Sequence, residues 1–224
     1  MQHLDWRPAR APERAALEGA TVLLEPLDPA RHADDLYAAS AGADETWLYL
    51  PYGPFQSQRD FVDWLTRHAS TADPLAFAIV DRATGRALGI TTLMSIVPEH
   101  GVIEIGHIWL SPALQRTRQA TDALYVQARH AFDVLGYRRL EWKCDAANAP
   151  SRRAAERFGF VFEGVFRQHR VIKGRNRDTA WFSITDGEWP TRRAAFEAWL
   201  APENFDSEGA QRRSLADIRR DIAP

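Results

Sequence analysis

Two hydrophobic periods alternate along this chain, and the switches between them mark out its elements. Thr21 to Leu27 is an apolar, β-branched run that reads as a strand. Asp28-Pro29 then opens a helix through Leu36 and Tyr37, with proline in the first turn. Ser57 starts a second helix, with Phe61, Val62, Trp64 and Leu65 on its inner side. Between these helices, Trp47 to Phe55 breaks the period with two prolines and a glycine, which predicts an aromatic loop. Leu75–Val80 and Ala87–Ile96 form a hairpin pair around the turn signal Asp81–Gly85. Val102–Leu110, Arg139–Cys144, Val161–Arg170 and Asp178–Thr185 supply further strands. Leu124, Val126, Ala128, Ala131, Phe132 and Leu135 mark a long helix, and Phe196, Trp199 and Leu200 mark another after Trp189-Pro190. Strands that first pair as hairpins and later alternate with helices predict an α/β fold, a mixed, mostly antiparallel central sheet flanked by helices.

The organisation expected from this pattern is an N-terminal arm over residues 1–19, one folded domain over 20–190, and a C-terminal helix with a polar tail over 191–224. The tail carries one amphipathic turn, Leu215 to Ile222. At 224 residues and 45% hydrophobic content the chain can bury one substantial core. A formal net charge of −2 gives no reason to expect nucleic-acid binding, although clustered arginines can still make a local basic patch. One cysteine, Cys144, excludes an intramolecular disulfide framework and fits a reducing compartment. With no membrane-length apolar run and no signal-peptide core at the N-terminus, a cytoplasmic location is expected. The seven histidines show no metal-ligand spacing.

The chemistry concentrates between Gly106 and Thr121. A strand ends at Leu110, Ser111-Pro112 turns, and a basic, hydroxyl-rich segment enters a helix. Free N–H groups at such a helix start form an anion site, and Arg116 and Arg118 add charge suited to phosphate. After the next strand come Asn148-Ala-Pro-Ser151, a short helix from Arg152 to Phe158, and Gly159-Phe160. This order of strand, Gln-x-x-x-x-Ala turn, long helix, strand, Asn-x-x-Ser, helix and Gly-Phe resembles the Gcn5-related N-acetyltransferase (GNAT) superfamily, in its RimJ/RimL-type branch. The resemblance spans Thr21 to Trp189 and is most specific from Glu104 to Pro190, including Glu163-Gly164 and Lys173–Asp178.

The resemblance implies an acyl-CoA N-acyltransferase fold with acetyl-CoA as co-substrate and a primary amine as acceptor. Backbone groups at Trp109 and Leu110 would meet the pantetheine arm. Gln115, Arg116, Thr117, Arg118, Gln119, Ala120 and Thr121 would hold the pyrophosphate, with Asn148 and Ser151 beside the cofactor. Arg118 stands where the family pattern has a glycine that lets the backbone approach the phosphates; an arginine can supply a phosphate partner instead. Many relatives place a tyrosine acid in the helix after the asparagine, where this chain has Ala154 and Ala155. Ser151, or a water it orders, is then the candidate for assisting the departing thiolate.

The base candidate is Glu104, because relatives often carry a carboxylate on that strand. Strict alternation puts Glu104 and His107 on opposite faces unless a bulge intervenes. An α-amine, with a pKa near ~8, needs little help from a base. Trp47, Tyr49, Tyr52 and His107 are expected to wall the acceptor site, some of them as core instead. Arg167, His169, Arg170, Arg175 and Arg177 suit either a carboxylate-bearing acceptor or a solvated hairpin. The alternative to an enzyme is a catalytically silent acyl-CoA-binding sensor or interaction module. Sheet edges and the C-terminal helix are available for a homodimer.

Overall fold

In a computed structural model, which describes residues 4–222, the chain forms eight strands and six α-helices. The strands are β1 (Leu17–Glu18), β2 (Val22–Pro26), β3 (Leu75–Asp81), β4 (Ala87–Val97), β5 (Val102–Leu110), β6 (Arg139–Asp145), β7 (Val161–Ile172) and β8 (Arg175–Thr185). They make one sheet in the order β1-β2-β3-β4-β5-β6-β8-β7. Every neighbouring pair is antiparallel except β5 and β6.

The helices are α1 (Pro29–Ser40), α2 (Gln58–Ala69), α3 (Arg118–Arg129), α4 (Ala149–Phe158), α5 (Trp189–Leu200) and α6 (Leu215–Ile222). Local signals set their starts. Asp28 accepts from the Ala30 N–H, with Pro29 at the first helical position of α1, and Ser57 accepts from the Asp60 N–H of α2. Asn148 caps α4 by accepting from the Ser151 N–H, and Gly159 ends it at φ 91°.

Two cores cover the two faces of the sheet. On one, Leu36 of α1 and Phe61 and Leu65 of α2 pack on Ala76, Ala78, Ile90 and Trp109. On the other, α3, α5 and α6 pack on Phe77, Ile79, Ile103, Ile105 and Phe182. Trp47 lies in the first core, 1% exposed and stacked on Trp109 at 4.7 Å between ring centres. The expectation that Trp47 walls the acceptor site therefore gives way to its alternative. Phe55, Phe61 and Trp64 close around the ring, and burying so much aromatic surface outweighs exposing it in a loop.

Both ends of the chain are more tightly held than expected. The Trp6 indole donates to the Glu99 carbonyl, the Ala9 N–H to Pro98, and the Arg10 N–H to Leu135. The arm then ends as β1, paired to β2. At the other end, the polar tail folds back on α5. Asn204 Nδ2 donates to the Trp199 and Arg213 carbonyls, Trp199 Nε1 donates to Gln211 Oε1, and Leu215 and Ile218 are buried.

Two departures from regular pairing create the site. The parallel pair β5–β6 is in register only at Val102–Arg139, Ile103–Leu140 and Glu104–Glu141. Beyond Glu104 the two strands part, and the β6-facing edge of β5 has no strand partner. Opposite β4, two residues of β5, His107 and Ile108, face the single residue Thr91, and His107 has a left-handed backbone at φ 48°. This β-bulge overrides the strict alternation and brings both Glu104 and His107 to one cavity.

Candidate active site

The parted strands open a cavity of about 1780 Å³ bounded by β5, β6, the α3 N-terminus, α4, β7, β8 and the segment after α5. It has two ends of different chemistry. At one, the turn Gln115–Thr117 leads into α3. Thr117 caps the helix, its hydroxyl oxygen accepting from the Ala120 N–H at 3.1 Å and donating to the Leu114 carbonyl at 2.7 Å. The N–H groups of Arg118 and Gln119 have no partner within the helix and point with its dipole toward the cavity end.

Arg116, not Arg118, takes the left-handed backbone here, at φ 63°. Arg118 is the first helical residue, so its position does not require glycine for conformational reasons. Its side chain is held by the C-terminal segment: Nη2 donates to the Leu200 carbonyl, and the guanidinium lies 4.5 Å from the Phe205 ring centre. Its Nε is buried without a partner. Gln115 turns back, Nε2 donating to the Leu110 carbonyl at 3.1 Å, and so braces the turn. Thr121 is buried and accepts from Arg157 Nη1 at 3.1 Å. Arg153 and Arg157 of α4 also line this end; the sequence reading missed both, because they sit on an ordinary-looking polar helix.

Asn148 and Ser151 line the middle of the cavity. Trp142 Nε1 donates to Ser151 Oγ at 3.0 Å, which occupies one lone pair and leaves the hydroxyl proton facing either the neighbouring Cys144 sulfur or the cavity. Cys144 is beside Ser151, and burial pushes its thiol pKa up, which keeps it a neutral, weakly reactive group. Ile108 and Leu110 face the cavity, whereas the Trp109 ring points into the opposite core and donates to Thr46 Oγ1 at 2.9 Å. Trp109 thus lies behind the site, and its indole is removed from any ligand.

The other end carries the titratable groups. Glu104 is buried, with Oε2 accepting from Lys143 Nζ at 2.8 Å and from Ser95 Oγ at 3.0 Å. Lys143 also pairs with Glu141 at 2.7 Å and sits over the Trp181 ring, 4.2 Å from its centre. No sequence motif announced Lys143; only the three-dimensional pairing of β5 with β6 reveals it. His107 Nδ1 is 2.9 Å from the Tyr52 hydroxyl, and their rings stack. Burial, then His68, Arg177 and Arg170, push the His107 pKa down to about 4, so the ring is neutral near pH 7. Burial raises the Tyr52 hydroxyl pKa. Tyr52 supports His107 from beneath, while Tyr49 lies at the cavity wall, its hydroxyl donating to the Ala147 carbonyl at 3.2 Å. Among the described residues, no helix is long and apolar enough to cross a membrane.

Residues 21–161 match the family model described as an acetyltransferase (GNAT) domain. The chain superposes on a GCN5-related N-acetyltransferase from Brucella melitensis with a TM-score of 0.94 and 50% identity, covering 96% of this chain and 99% of that one. A candidate GNAT acetyltransferase from Chromobacterium violaceum superposes with a TM-score of 0.79 at 46% identity, over 85% of this chain and 96% of that one. YdaF of Bacillus subtilis (strain 168), named as a candidate ribosomal N-acetyltransferase, is 26% identical over 75% of this chain and 91% of its own.

Proposed function

This chain belongs to the GNAT family of acetyltransferases, and we propose that it moves the acetyl group of acetyl-CoA directly onto a primary amine within the parted-strand cavity. The observation that carries this reading is the continuity of the cavity. An unpaired edge of β5 leads straight to a capped helix N-terminus flanked by arginines. An extended, amide-bearing pantetheine arm can add to such an edge as a further strand would, and the pyrophosphate then meets the free N–H groups of α3. Arg116, Arg153 and the half-buried Arg118, whose Nε has no partner among the described residues, supply cationic partners there. Gln115, Thr117, Gln119, Ala120 and Thr121 shape the turn.

In the reaction, the amine attacks the acetyl carbonyl, the C–S bond breaks, and the amine's proton leaves as the thiolate gains one. Glu104 takes the proton at its carboxylate, directly or through one water. Lys143 and Ser95 fix Oε2, which leaves Oε1 as the accepting oxygen. Ser151 donates a hydrogen bond to the departing thiolate and keeps its own proton; the thiolate is protonated from solvent as Glu104 returns its proton to solvent, and Trp142 Nε1 orients the hydroxyl. Neutral His107 and Tyr49 wall the acceptor. The acceptor is a protein N-terminal amine or a small-molecule amine; similarity to a protein named for ribosomal N-acetylation supports the first of these.

Calorimetric titration with acetyl-CoA, followed by CoA release with a panel of primary amines, tests the reading. Micromolar binding that weakens at least tenfold in Asn148→Ala, with release dependent on an amine, is the expected result. Absence of acetyl-CoA binding by the intact chain overturns it.

A further inference from the structure

The reading above leaves one charged cluster of the cavity unused. Arg170 on β7 and Arg177 on β8 are direct cross-strand partners, and both line the acceptor end. Two like charges facing each other across a ladder repel, so such a pair is ordinarily split or neutralised by carboxylates. Here neither arginine makes an ion pair or hydrogen bond among the described residues, and the Nε of Arg177 is buried with no partner. Two nearby cations are satisfied: Lys143 has Glu104 and Glu141, and Arg139 has Glu141 and Glu163.

The backbone brings this pair to the cavity wall, Arg177 half-buried and Arg170 exposed. Three residues of β7, Arg167 to His169, face only Asp178 of β8, and Gln168 adopts a left-handed φ of 50°. Asp178 fixes the bulge, accepting from the Gln168 N–H at 2.7 Å and from Asn176 Nδ2 at 2.9 Å. Consecutive strand residues normally point to opposite faces, yet both His169 and Arg170 reach the cavity. His169 is itself fixed by a 2.9 Å contact between Nδ1 and Thr179 Oγ1.

We propose that Arg170 and Arg177 form an anion clamp, and that the acceptor is a small primary amine bearing its own carboxylate or phosphate. This assignment rests on the acetyltransferase reading of the same cavity. The anion neutralises the facing guanidiniums and satisfies Arg177 Nε, and two forked donors on neighbouring strands suit the planar or tetrahedral oxygens of either group. Asp145 and, more weakly, Glu104 contribute to the field at Arg177 without pairing with it. The clamp therefore presents the amine end of the same molecule to the proton acceptor. A neutral amine leaves the arginine pair unpaired and gains none of this orientation.

The test uses matched pairs on the full chain: free amino acids against their amides, and phosphoethanolamine against ethanolamine. Steady-state transfer is measured for each. N-acetylated amino acids and their amides are also titrated calorimetrically in the presence of CoA, which reads the clamp without turnover. The expected result is a preference of about tenfold or more in both kcat/KM and affinity for one anionic set over its neutral partners. That preference falls toward unity in Arg177→Gln and in Arg170→Gln. Because Arg170 is exposed, its loss does not threaten the fold. The carboxylate and phosphate arms identify which anion is used. Equal use of charged and neutral amines overturns the clamp while leaving the acetyltransferase reading intact. Acid-selective, arginine-dependent binding with no transfer to any amine overturns the acetyltransferase reading instead.

Discussion

His107 gives up its proton at about pH 4 in the folded protein, because its ring is buried and faces His68, Arg177 and Arg170. In the unfolded chain it titrates near ~6.5. Between those values the unfolded chain binds more protons, so stability falls as pH drops from about 6.5 toward 4, by up to ~1.4 kcal/mol per unit from this residue. Urea denaturation of wild type and His107→Gln at several pH values should show a shallower slope in the variant; identical slopes would assign the wild-type loss to other groups. Glu104 makes a second residue-scale prediction. Glu104→Gln should lower kcat/KM about a hundredfold near pH 7, within the usual range for a general base. The deficit should shrink above pH ~8, where an α-amine loses its own proton. A deficit independent of pH would make Glu104 a structural partner of Lys143.

The elements explain why these residues meet, and they show where the sequence stopped being informative. Thr117→Ala removes the cap of α3 and should cost about 1 kcal/mol of stability while raising the KM for acetyl-CoA several-fold, read by denaturation and steady-state kinetics. An unchanged KM would mean that the α3 N-terminus does not hold the cofactor. Elements bounded by turn chemistry were legible. Val102–Leu110 is a strand over the expected residues, and helices start after Asp28 and Ser57, whose side chains accept backbone hydrogen bonds; α4 starts at Ala149, three residues before the expected Arg152, because Asn148 caps it. The bulges at His107 and Gln168 were not, because neither residue is a glycine and period-two alternation runs past both. That is why alternation separated Glu104 from His107. Aromatic composition likewise could not divide the loop before α2. Trp47 and Tyr52 are drawn beneath the site by stacking on Trp109 and His107, and Tyr49 is left at its wall. Arg118 stands at the family's glycine with a helical backbone, so no backbone strain arises there, and its side chain turns to the Leu200 carbonyl.

At the scale of the whole molecule, the α3 end of the cavity is completed by residues far along the chain. Arg118 at the start of α3 is clasped by the Leu200 carbonyl and the Phe205 ring, and Phe205 packs edge-on against Trp199. That segment is held in turn by α6, which buries Leu215 and Ile218. The pattern marked the amphipathic turn Leu215 to Ile222, where α6 forms, but two buried residues in an eight-residue helix carry no signal of what they pack against. The site and the C-terminus are thus mechanically coupled, and the coupling can be separated from simple stability. Leu215→Ala should cost about 2–4 kcal/mol, as a buried large-to-small change does. Phe205→Ala removes the face on which Arg118 rests but leaves α6 in place. It should weaken acetyl-CoA binding several-fold by calorimetry, with a smaller loss of stability than Leu215→Ala and little change in KM for the amine. The contrast matters because both variants perturb the same segment. If Phe205→Ala binds acetyl-CoA as wild type does, the C-terminal segment serves the fold alone, and the Arg118 guanidinium is a structural tie instead of a phosphate partner.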